Sequence, residues 1–88
     1  MKVRLARLRY RPGEVMNLRV SASESARTIV ARLYGAAPVS LRWNHQAAAN
    51  TGALTIPALP PGRYQLNVIA EDIAHNIGTQ EVSIEILP

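Results

Sequence analysis

The sequence predicts an all-β fold, an antiparallel sandwich of about seven short strands. Three observations lead there. Apolar and polar residues alternate with a period of two in one segment after another, the pattern of strands with one buried and one wet face. Turn-forming residues punctuate these segments at intervals of roughly 8–12 residues. The segment that best fits helical spacing also carries Thr28, Ile29 and Val30 in a row, and β-branched side chains favour a pleated sheet.

In the first strand, Val3 and Leu5 share one parity and Leu8 and Tyr10 the other. A parity switch near Ala6 predicts a bulge or a strand that changes sheets. Pro12-Gly13 suits a type II turn. Met16, Leu18, Val20 and Ala22 then face one way, with Asn17, Arg19 and Ser21 opposite. Ser23 to Gly35 fits two elements: a helix capped by Ser23 or Ser25, or a strand over Arg27 to Tyr34 with Ile29, Ala31 and Leu33 inward. The β-branched run favours the strand. Val39, Leu41 and Trp43 alternate with Ser40 and Arg42, and Leu54 and Ile56 form a short strand closed by Pro57. Turns are expected at Gly35 to Pro38, at Asn50 to Gly52 and at Pro60-Pro61-Gly62. The last two strands alternate most regularly. Tyr64, Leu66, Val68 and Ala70 oppose Arg63, Gln65, Asn67 and Glu71; Val82, Ile84 and Ile86 oppose Glu81, Ser83 and Glu85.

The 88 residues make room for one domain and one core. With no cysteine, neither a disulfide nor thiolate chemistry is available. The start MKVRLARLRYRPG lacks the apolar core of a signal peptide, and no apolar run approaches the ~20 residues of a membrane span. The net charge is +4, and five of the ten basic residues, Lys2, Arg4, Arg7, Arg9 and Arg11, lie in the first eleven positions. A charged edge strand that resists sheet-to-sheet association accounts for them. A nucleic-acid surface is the weaker reading, since few aromatic residues accompany the charge.

The stretch LPPGRYQLNVIAEDIAHN, Leu59 to Asn76, resembles the penultimate strand of bacterial immunoglobulin-like and fibronectin type III-like sandwich domains. That strand often reads Leu, a Pro-Gly turn, Tyr, alternating apolar residues, Asp, a small residue or two, and Asn. YRPGEVMNLRV, Tyr10 to Val20, is similar to the opening of such domains, macroglobulin-like ones included, where a Pro-Gly-Glu turn leads into the second strand. The resemblance covers most of the chain by strand order but only these two stretches by residue, and it implies a fold superfamily rather than an activity. It implies structural roles in the turn for Asp72 and Asn76. The sequence departs from the pattern at His75, where the family usually has glycine. It also lacks the inter-sheet disulfide of immunoglobulin domains proper.

Tyr64 stands near the start of that penultimate strand. A Greek-key sandwich often has a corner tyrosine there, with its ring in the core and its hydroxyl on an upstream backbone group. Tyr64 is therefore expected to donate to a carbonyl between Ala58 and Gly62. Trp43 shares parity with Val39 and Leu41, which predicts a core position; the rival is an exposed ring that stacks on a sugar.

Asp72 and Asn76 are expected to fold back on backbone donors of their own turn. A calcium site of Glu71, Asp72 and Asn76 is the alternative, but it is short of ligands. His45 and His75 lack the partners that zinc requires. No serine sits in a nucleophile elbow, and the five glycines form no phosphate loop. No cofactor, metal or catalytic residue is expected.

The expected protein is a noncatalytic spacer or interaction module, an excised part of a longer bacterial surface or secreted protein. Its partners would be neighbouring domains or another protein, with no membrane insertion, and it would be monomeric. A carbohydrate-binding module and a small basic nucleic-acid binder are the alternatives.

Overall fold

The computed structural model describes residues 1–21 and 26–88. Nine strands and no helix occur among them: β1 (Lys2–Leu5), β2 (Arg9–Tyr10), β3 (Val15–Ser21), β4 (Ala26–Leu33), β5 (Val39–Ser40), β6 (Arg42–Asn44), β7 (Ala49–Thr55), β8 (Gly62–Asp72) and β9 (Ile77–Ile86). They form two sheets, a four-stranded one in the order β1-β3-β7-β6 and a five-stranded one in the order β2-β9-β8-β4-β5. Every pairing is antiparallel except that of β2 with β9. No helix is long and apolar enough to cross a membrane among the described residues.

The count is nine rather than about seven because two of the expected strands are each divided between the sheets. The first leaves the four-stranded sheet after Leu5 and joins the other at Arg9, which accounts for the parity switch near Ala6. The second break falls at Leu41. Its amide still donates to Ile29 O of β4 at 2.8 Å, while the next residue, Arg42, already pairs with Thr51 of β7. The ambiguous segment is a strand, since β4 pairs with β8 from Ala26 to Leu33. Tyr34 lies just beyond it, in a turn closed by the Ala36 amide on Leu33 O at 3.0 Å. The expectations for Ala22, Ser23 and Ser25 fall outside the described residues.

Burial follows the alternation. Met16, Leu18, Val20 and Leu54 of the four-stranded sheet join Ile29, Ala31, Leu33, Leu66, Val68, Ile84 and Ile86 of the five-stranded sheet in one hydrophobic cluster. The turn at Pro12-Gly13 forms as the sequence implies: Gly13 has φ 88°, as a type II turn requires, and the Glu14 amide donates to Arg11 O at 3.1 Å.

Two expectations are overturned. Asn50 to Gly52 is not a turn but lies inside β7. Gly52 is there because of packing: a Cβ at this position would collide with the Leu41 side chain, and a strand glycine marks such close approaches. The turn comes earlier, between β6 and β7, where Asn44 Oδ1 accepts from the Ala47 amide at 3.0 Å. Trp43 is the second correction. It is 55% exposed and lies outside the core. It keeps core-side parity, pairing with Asn50, which pairs in turn with buried Val20. But β6 is an edge strand whose one substantial neighbour is β7, so its side chains are not covered.

Candidate interaction site

The turn joining β8 to β9 is built by Asp72. One carboxylate oxygen accepts from the amides of Ala74 and Asn76, both at 2.9 Å. The other accepts from the Asn76 side-chain amide at 3.1 Å. The Asp72 amide donates to Asn76 O, and the His75 amide to Asp72 O. These bonds, the Asn76 backbone amide foremost, hold the Asp72 carboxyl below its ordinary range. A carboxylate engaged in this way serves the turn. His75 has φ 64°, in the left-handed region that favours glycine. Its ring nitrogen lies 2.8 Å from Glu71 Oε1. A histidine thus holds a backbone conformation that glycine adopts at less cost. No group of three or more His, Cys, Asp or Glu residues gathers in a metal-binding cluster among the described residues.

At the other end of β8, the Tyr64 hydroxyl donates to the Pro60 carbonyl at 2.7 Å, and the ring packs partly buried against the core cluster. Tyr10, which had no assigned role, is 1% exposed. Its hydroxyl has no hydrogen-bond partner, and the Arg7 guanidinium lies over its ring, 4.8 Å from the centroid. Arg7 also pairs with Glu14 at 2.9 Å, so the crossover between β1 and β2 is pinned to the turn before β3. Trp43 donates from its indole nitrogen to His45 Nδ1 at 3.2 Å, and the two rings meet edge to face.

The surface that sequence reading missed lies on the outer face of the four-stranded sheet. Arg4 stands directly opposite Arg19, Arg19 opposite Thr51, and Thr51 opposite Arg42. The three arginines, all exposed, form one row across all four strands. At the usual strand spacing the row spans roughly 14 Å. Beside it is a shallow depression of about 660 Å³, lined in part by Arg4, Asn17, Arg19, Asn44, Thr51 and Ala53. None of the ion pairs among the described residues involves Arg4, Arg19 or Arg42. Only strand register brings together positions 4, 19, 42 and 51, so no local motif announces the row.

No protein-family model matches the chain, and no curated protein matches it either.

Proposed function

We propose that the chain is an immunoglobulin-like β-sandwich module, noncatalytic, acting as a spacer or protein-interaction domain of a longer bacterial surface or secreted protein. The observation that supports this is strand order. The sheet β1-β3-β7-β6 and the run β4-β8-β9 follow the ABED and CFG sheets of a constant-type immunoglobulin domain, with β2 and β5 as short additions. The corner hydrogen bond of Tyr64 agrees with that topology. The residues singled out for chemistry serve turns and corners, so the reading assigns no reaction. The expected partners are adjacent domains or another protein, met by a monomer outside the cytoplasm. Sequencing the gene on both sides of the coding segment tests it. An export signal with further domains or an anchor is expected; a reading frame that starts at Met1 and stops after Pro88 overturns it.

A carbohydrate-binding role has one observation in its favour, the exposed Trp43 ring beside His45. A shift of Trp43 fluorescence on titration with neutral oligosaccharides would favour it.

A further inference from the structure

We propose that the outer face of the four-stranded sheet binds an acidic polysaccharide, specifically a chain of carboxylate-bearing uronate sugars. The proposal goes beyond the module reading and does not rest on it.

The first reason is a broken local rule. Like charges directly opposite on neighbouring strands destabilise a sheet, yet Arg4 faces Arg19 in register. Edge protection accounts for Arg4 on the edge strand β1 but not for Arg19 on the interior strand β3. A conflict of that kind marks a functional surface, and an anion lying across the pair would relieve it. The second is segregation of charge. The described acids lie elsewhere: Glu14 in the turn before β3, Glu71 and Asp72 on β8, Glu81 and Glu85 on β9. On the outer face of the four-stranded sheet, Lys2, Arg4, Arg19 and Arg42 meet no acidic residue among those described.

The side-chain types then narrow the anion. Guanidinium is a planar fork that grips carboxylate and phosphate alike with two parallel hydrogen bonds, so the neighbouring residues decide between them. Asn17, Asn44 and Thr51 stand among the arginines and supply both donors and acceptors, as sugar hydroxyls require. Ala47 and Ala53 keep the depression open. Single-stranded nucleic acid would call for aromatic platforms under its bases, and the row Arg4, Arg19, Thr51, Arg42 contains none. The row is also longer than one sugar ring, which favours a polymer over a free monosaccharide.

Calorimetric titration of the 88-residue chain with polygalacturonate, carboxylate-free dextran sulfate, neutral dextran and polyuridylate tests the proposal at physiological ionic strength. Polygalacturonate is expected to bind tightest and dextran not at all. Arg19→Ala and Arg4→Ala should each weaken polygalacturonate binding roughly tenfold or more. Arg32→Ala, on β4 of the other sheet, should change it less than about twofold. Arg19→Ala should also raise the melting temperature by relieving the Arg4 repulsion, so lost binding is not lost folding. Arg19→Lys keeps the charge but not the fork and should weaken binding severalfold. Four results overturn the proposal: no binding of polygalacturonate; tighter binding of dextran sulfate or polyuridylate, which marks a general polyanion or nucleic-acid surface; equal losses in Arg32→Ala and Arg19→Ala; or full affinity in Arg19→Lys.

Discussion

Asp72 and Tyr64 each fasten one end of β8, and each does so with a few hydrogen bonds. The folded-state pKa of Asp72 is depressed, so folding binds its ionised form. The resulting stability is complete above the unfolded value of about 3.9 and is lost as pH falls through the lower folded value. Glu14 has the same sign, through the Arg11 backbone amide first and Arg7 second. Thermal melts should therefore weaken steadily below about pH 4. Asp72→Asn should melt lower at neutral pH and lose part of that acid slope; an unchanged slope would refute the role given to Asp72. Tyr64→Phe keeps the ring and leaves the Pro60 carbonyl without its donor. The expected loss is about 1 kcal/mol, a fall in melting temperature of roughly 4–8 °C; a melt identical to wild type would refute the corner. Both roles were legible in the sequence because the partners lie within four residues. Trp43 was not, because its exposure depends on which strand ends the sheet.

At the scale of elements, the informative junction is Leu41 against Gly52. Val39 to Trp43 alternates without interruption, yet it spans two sheets with Leu41 as the pivot. Parity reports which side of the backbone a residue takes; it is silent on which sheet the backbone belongs to. The seven alternating segments were thus legible, and the divisions that turn them into nine strands were visible only where parity also broke, at Ala6. Gly52 looked like turn chemistry because glycine serves turns and close approaches alike. Gly52→Ala should drive a methyl group into Leu41 and cost about 1–3 kcal/mol. Adding Leu41→Ala should recover part of that loss, so that the double variant is more stable than the sum of the single effects implies. Strict additivity in denaturation midpoints would show that the two residues do not share the space.

For the whole molecule, the two sheets differ in the charge they show to solvent. All described acids of the strands lie on β8 and β9, while the four-stranded sheet is purely basic in its described charges. This polarity was hidden in a net charge of +4, because composition sums what topology separates. The parallel pairing of β2 with β9 has a consequence in time. It joins Arg9 and Tyr10 to Glu85 and Ile86, with almost the whole chain between them, and the amides of Glu85 and Leu87 donate to Leu8 O and Tyr10 O at 2.8 Å. Closing so long a loop delays folding. A ribosome delivers residues in order, so β2 emerges early and finds its partner only when the last strand is out. Until then β2 has no strand to pair with, and the core cluster that encloses Tyr10 lacks Ile84 and Ile86. The five-stranded sheet can therefore be completed only once β9 has left the ribosome.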